Sequence, residues 1–475
     1  MRWRRSPCPP SSWKPSGPDG GRPASRSCPR RSARGESIER SAGATQSPDG
    51  DVLPGRVIGE YVRAVQSSGR NARLYLYGLF LCGLGQSIFS LLFNLYLREL
   101  GVSDAGIGQI LSKISLGAAV AALPVAFLFR RVSSRAILVT AGALTAFTYL
   151  LLGSLVAPEL LLLAAFVSGM VVTTFRLSIA PVVMREVPPP LRPYLFSAAF
   201  TVLFLAAIAG SALGGAMPHL FSAIRETPRL TLRWSLWAAC AITLLASIPF
   251  YRMGGWTQAA EEERTPSLWE QVRELTEVDW VLQLKLALPA TLIGLGAGLI
   301  IPFLNLYFRD RFGLTAGAIG ILYAIMQASM VLGNLFGPAV SRRLGLVRGV
   351  VLTQLLSVPF MVLLALSSSF PVVVAAFLFR AGLMNMNQPL TTHFAMEVVP
   401  EREHAITNSL LSLTWFVAWS VSADIGGALI ERRGYTEPLL LAALLYVVAS
   451  ILYGAFFHRV PEGRVPRSEV EIPDA

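Results

Sequence analysis

The chain reads as an all-α integral membrane protein of twelve transmembrane helices, in two six-helix halves related by a pseudo-two-fold axis along the membrane normal. Three observations predict this. First, 53% of its 475 residues are hydrophobic and only 15% charged, against about 25% charged in soluble domains. Second, the charges cluster in short runs between apolar stretches of roughly 20 residues, the length that spans a bilayer as a helix. Third, the first six stretches repeat in the second six. A large soluble enzyme, a disordered chain and a membrane β-barrel of short alternating strands are all excluded.

Residues 1–68 are rich in Arg, Pro, Ser and Gly and lack the apolar segment of a signal peptide. They read as a disordered basic tail, and the same text resembles translated upstream DNA of a GC-rich genome. A short amphipathic helix over 57–65 is expected to lie on the membrane. The first half occupies 69–251, with spans near 74–97, 107–129, 136–156, 160–183, 195–216 and 232–251. A polar linker over 252–283 contains Glu261-Glu262-Glu263-Arg264. The second half occupies 284–458, with spans near 284–308, 316–340, 350–369, 372–395, 405–430 and 439–457, and a tail follows over 459–475.

The net charge of +12 is placed in the tail and in short loops, which sets topology rather than nucleic-acid binding. Arg130, Arg131 and Arg135 follow span two, and Arg342, Arg343 and Arg348 follow span eight. The loops after spans three and nine carry no Lys or Arg. The positive-inside rule then puts both termini and the linker in the cytoplasm of a plasma-membrane protein. Arg225, Arg229 and Arg233 run against it. Cys8, Cys28, Cys82 and Cys240 have neither disulfide-framework nor metal-ligand spacing. No metal or cofactor site is expected, and no phosphate loop or nucleophile–base pair, so the chain is not read as an enzyme and any driving force should come from a gradient.

The repeat is local and specific. Gly83-Leu84-Gly85 recurs as Gly294-Leu295-Gly296, and Asn94-Leu95-Tyr96-Leu97-Arg98-Glu99 recurs at the same offset as Asn305-Leu306-Tyr307-Phe308-Arg309-Asp310. One residue of slippage later, Gly101-Val102-Ser103 matches Gly313-Leu314-Thr315 and Ile107-Gly108 matches Ile319-Gly320. Gly214-Gly215-Ala216 in span five matches Gly426-Gly427-Ala428 in span eleven. Each half crosses an even number of times, so the two run in the same direction, the parallel repeat of one transporter class.

Over residues 74–457 the chain therefore resembles the major facilitator superfamily. The turns after spans two and eight are similar to that family's Pro-x-Gly-x-x-x-Asp-Arg-x-Gly-Arg-Arg motif. The first reads Pro124-Val125-Ala126-Phe127-Leu128-Phe129-Arg130-Arg131-Val132-Ser133-Ser134-Arg135; in the second, Arg342-Arg343-Leu344-Gly345 stands at the core. Both put Arg, at 130 and 342, where the family has Asp. The run Met396-Glu397-Val398-Val399-Pro400-Glu401-Arg402 also resembles a facilitator loop. The resemblance implies a transporter in which spans four and ten line a central cavity and spans two and eleven face each other across the halves.

Polar groups inside spans are site candidates. Lys113, one of three lysines in the chain, sits about 13 Å below the outer surface of span two, and Asp424 about 9 Å below it in span eleven, at 1.5 Å per residue. The expectation is a Lys113–Asp424 outer gate; the alternatives are snorkelling or pairing within each half, and for Asp424 proton titration beside Arg380. Arg176 and Arg380 present planar donor forks suited to a carboxylate or phosphate; alternatively Arg380 pairs with Asp424 and Arg176 caps loop carbonyls. Gln86, Ser90 and Asn94 share a face of span one, and helix packing is favoured for Asn94 and Asn305. Asn387 lies on the Arg380 face. Phe93, Trp415 and Trp419 are expected to give the cavity an aromatic wall. The substrate site is thus read as Gln86, Arg176, Arg380, Asn387 and Trp415. Gly210, Gly214 and Gly215 allow close approach; the family associates a glycine-rich span five with exporters, though its motif carries a Pro absent here. The expected function is secondary transport by alternating access. The first reading is proton-antiport efflux of a small amphiphile by a monomer in the bilayer. The second is a carrier of small organic anions, and the third a non-transporting receptor or scaffold.

Overall fold

The structure is a computed structural model, and it describes residues 65, 67–187, 191–223, 227–254 and 278–459. Nearly all of the tail, the 57–65 segment but for its last residue, most of the linker and the end of the chain lie outside the described residues. Among the described residues twelve helices are long and apolar enough to cross a membrane. They are α1 (Arg70–Glu99), α2 (Asp104–Arg131), α3 (Ser134–Leu152), α4 (Pro158–Arg185), α5 (Arg192–Ser222), α6 (Pro228–Tyr251), α7 (Trp280–Phe312), α8 (Ala316–Leu344), α9 (Leu346–Leu366), α10 (Phe370–Val398), α11 (Glu401–Arg433) and α12 (Thr436–Phe457). No strand occurs among the described residues.

Local chemistry sets the boundaries. Ser103 caps α2 by accepting from the Gly106 amide, and Thr315 does the same for α8 from Ala318. The turns before these caps need a left-handed residue, supplied by Gly101 (φ 79°) and Gly313 (φ 64°). The span expected over 160–183 is two helices meeting at Ser178.

Packing repeats as the sequence does. In the first half α1 packs on α5 and α6, α4 on α2 and α3, and α3 on α6; in the second, α7 packs on α11 and α12, α10 on α8 and α9, and α9 on α12. Two seams join the halves, α2 against α11 and α5 against α8. Each closes on a pair of glycines. A Cβ on Gly427 would lie 2.4 Å from the Asp104 carbonyl and 2.9 Å from the Gly108 Cα; one on Gly215 would lie 2.8 Å from the Gly320 Cα. Gly210 and Gly214 meet Leu84 and Ile88 of α1, the close approach expected of small residues.

The seams are tight at one end only. We call the end carrying Glu99 and Asp310 distal, and the end carrying the Arg-rich turns basal. Eighteen residues are five helical turns, which returns to the same face. Gly108 is buried distally, whereas Ala126 on that face is exposed basally; Gly320 is buried, whereas Pro338 is exposed. The halves therefore diverge toward the basal end.

Candidate functional site: a basal cavity and a distal seal

Gln86 and Ser90 are exposed on α1, although its distal stretch from Leu91 to Leu97 is buried. Arg176 on α4 is accessible. No hydrogen bond or ion pair engages it among the described residues. Trp415 on α11 is half-buried, packs against Gly294 of α7 and has its ring 5.7 Å from that of Trp419. A shallow apolar groove of about 300 Å³ between α7 and α11, with Thr291, Leu295 and Val417 in its wall, contains none of the polar candidates.

Other expected members of the site stand elsewhere. Arg380 is only 3% exposed and donates to the Tyr446 hydroxyl at 3.1 Å on α12, so it is held inside its own half instead of facing an open cavity. Its Nε has no partner, nor does Oδ1 of Asn387, which is 5% exposed. The proposed Arg380–Asp424 pair is not formed. Phe93 is core rather than cavity wall: its ring stacks on Phe89 at 4.8 Å, and Phe89 stacks on Tyr149 at 3.9 Å. Among the described residues no three His, Cys, Asp or Glu side chains group as metal ligands.

The expected Lys113–Asp424 gate is also absent, although the distal end is closed. The faces of α2 and α11 that meet are those of Gly108 and Ser112 against Ser420, Ala423 and Gly427; the Ser112 and Ser420 hydroxyls lie 3.0 Å apart. Lys113 and Asp424 each sit one residue, or 100° of helix, off that face. Asp424 is exposed beside exposed Val421 and Ile425.

What seals the distal end is the repeated block itself. Asn94 Nδ2 donates across the halves to the Pro302 carbonyl at 2.6 Å and to Asn305 Oδ1 at 3.2 Å. Asn305 Nδ2 donates to the Leu91 carbonyl at 2.9 Å. Leu91 and Pro302 are themselves repeat mates, 211 residues apart like Asn94 and Asn305, so the two bonds are one bond applied twice by the pseudo-two-fold axis. One turn further out, Arg98 bonds Asp310 at 2.7 Å and Arg309 bonds Glu99, again as mates. The two tyrosines of the block anchor it inside each half: Tyr96 donates to the Gly153 carbonyl at 2.8 Å and Tyr307 to that of Leu364 at 2.7 Å. Glu431 of α11 accepts from the Ala105 amide at 2.9 Å, placing an acid on the α2 N-terminus. Tyr435 donates to Asp310 at 2.7 Å; burial, and then that hydrogen bond, push its phenol well above the usual tyrosine range.

The block was legible as a repeat, but its bonding partners were not. One further signal was available. Pro302 lacks an amide donor, and α7 breaks there into Trp280–Ile300, a 3₁₀ turn over Ile301–Phe303 and Leu304–Phe312. Its mate Leu91 lies in an unbroken helix.

With this geometry in hand, the comparisons decide the family. The sequence profile of the Major Facilitator Superfamily matches residues 75–290 and again 286–472. The chain belongs to the major facilitator superfamily. A search of curated proteins finds no match. Among solved structures, a bacterial homolog of the human lysosomal transporter Spinster, inward-facing and unoccupied, superposes with a TM-score of 0.66 at 13% identity, over 81% of this chain and 95% of that one. The nucleoside transporter NupG gives 0.63 at 12% identity (82% and 98%), and a bacterial metal transporter gives 0.62 at 17% (83% and 100%). At these identities the likeness is one of fold.

Proposed function

We propose that this facilitator is a secondary transporter for small organic anions, working by alternating access with its basal end in the cytoplasm of a plasma-membrane protein. The observation that carries the reading is Arg176: an accessible guanidinium two-thirds of the way along a span, with no acid bonded to it among the described residues. A cation held inside a span is stabilised by an anion that brings its own charge, and a planar fork suits a carboxylate or phosphate. Gln86, exposed on α1 of the same half, supplies a hydrogen-bonding group, and half-buried Trp415 of the other half an apolar one. Arg380 and Asn387 have unpartnered polar atoms within α10 and belong to the site in a state that uncovers them.

The half-exposed pair Trp415 and Trp419 favours a second reading, efflux of amphiphiles coupled to protons, with Asp424 as the titrating carboxylate. Proteoliposome flux with aryl carboxylates, nucleoside monophosphates and tetraphenylphosphonium, with and without a pH gradient, separates the two. Anion flux that falls in Arg176→Gln supports the first. Flux of the lipophilic cation alone, dependent on the pH gradient, would reject it.

A further inference from the structure

The distal ion pairs look equivalent by symmetry, but their surroundings differ. Arg98 also bonds Asp104 at 2.7 Å, and Asp104 lies in its own half. Asp310 also accepts from Tyr435, again in its own half. Arg309 and Glu99 have no such stand-in among their described bonds. Arg309 reaches Glu99 and, at 3.5 Å, the Leu95 carbonyl, both in the opposite half, and Glu99 is bonded by Arg309.

We propose that Arg309–Glu99 is the latch that distal opening must break, whereas Arg98–Asp310 is a sliding pair whose members fall back on Asp104 and Tyr435. The proposal rests on alternating access but not on any substrate. When the halves part, Arg98 keeps one carboxylate and Asp310 keeps one hydroxyl donor. Arg309 and Glu99 lose every partner at once, and only water replaces them. A contact made in one state alone shifts the equilibrium by its full worth; a contact replaced in the other state shifts it by little. In the closed state Asp104 and Asp310 also share one guanidinium, so two like charges sit together there and separate on opening.

The signs of three substitutions follow. Glu99→Gln removes a bond found only in the closed state and raises the distal-open fraction. The effect is about threefold to fivefold, the scale of a partly exposed pair. Asp310→Asn removes one bond but also relieves the crowding of carboxylates, so the change stays under about twofold. Asp104→Asn goes the other way. It relieves the closed state and deprives opened Arg98 of its stand-in, so the distal-open fraction falls.

The readout is the rate at which a membrane-impermeant maleimide, applied from the distal side of sealed vesicles, modifies Ser90→Cys on α1, resolved by mass spectrometry of that peptide. Glu159→Cys, exposed at the distal start of α4, identifies the side. Glu99→Gln and Arg309→Gln should accelerate labelling, Asp104→Asn should slow it, and Glu99→Arg with Arg309→Glu should return it toward the parent rate. Equal acceleration by Glu99→Gln and Asp310→Asn, acceleration by Asp104→Asn, or no change in any variant overturns the proposal. If Ser90→Cys is never labelled from the distal side, even in Glu99→Arg, alternating access itself fails.

Discussion

The distal seam and the basal cavity are built from the same spans but treat polar groups in opposite ways. At the seam, buried amides and partly buried charges are bonded across the halves: Asn94, Asn305, Arg98, Arg309, Ser112 and Ser420 all have partners. Off the seam, Arg176, Lys113 and Asp424 have no ion-pair partner among the described residues. The satisfied groups hold the distal end closed; under the proposed function, unpaired Arg176 is the group that takes the anion. A polar residue inside a span therefore says little by itself; whether its bonds are already made tells gate from site.

Substitutions that overfill the seam should have the largest effect. Gly427→Leu drives a side chain into the Asp104 carbonyl and the Gly108 backbone, neither of which can rotate away. A cost of about 3 kcal/mol is expected from overpacking, read as a fall in the thermal midpoint of the purified protein. The same change at exposed Ala126, on the matching face basally, should cost nothing measurable. An equal loss at both positions would erase the distinction between the ends.

Next is the buried amide pair. Asn305→Leu leaves the Asn94 Nδ2 short of one acceptor and forfeits the bond to Leu91, at about 2 kcal/mol for unsatisfied buried polar groups. Because those bonds exist only with the distal end closed, the variant should also label faster at Ser90→Cys. A stability loss without faster labelling would make the pair a packing element only.

Arg176→Gln tests the other region. No bond is lost among the described residues, so the thermal midpoint should hold while anion flux falls about tenfold, the worth of roughly 1.4 kcal/mol. A lower midpoint with unchanged flux would mean that the guanidinium caps the protein instead of holding a ligand.

How far the sequence reached depended on what each feature needed. Span number and the two halves follow from apolar length and from the offset between Asn94 and Asn305, which are properties of the chain alone. Close approach at Gly210, Gly214 and Gly215 was readable because small residues let helices approach closely, and the structure places all three against neighbouring helices. The seal was missed because Arg98, Glu99, Arg309 and Asp310 stand at span ends, where charges are ordinary and call for no explanation. Their importance comes from the pseudo-two-fold axis setting one block against its own copy. Arg380 was misplaced for the converse reason: its depth was legible, but the direction of its fork depends on Tyr446, 66 residues away. Helical registry had to choose between Lys113 and its neighbour Ser112, and a single residue decides which one faces α11.

The smallest expected effect concerns that choice. If Lys113 and Asp424 were the distal gate, a double-mutant cycle with Lys113→Gln and Asp424→Asn would show coupling of the size of a buried pair, several kcal/mol. In the structure Ser112 meets Ser420 while Lys113 and Asp424 turn off the shared face, and Asp424 is exposed. Residues without a shared contact add independently to within about 0.5 kcal/mol, so the coupling in thermal stability should fall inside that limit. Under alternating access, opening the distal end would part α2 from α11, which gives the two charges no closer approach in the other state. The Glu99 and Arg309 cycle, run beside it, should exceed it. Coupling above 1 kcal/mol for Lys113 and Asp424 would restore them as a gate and reduce the repeated block to a second layer beneath it.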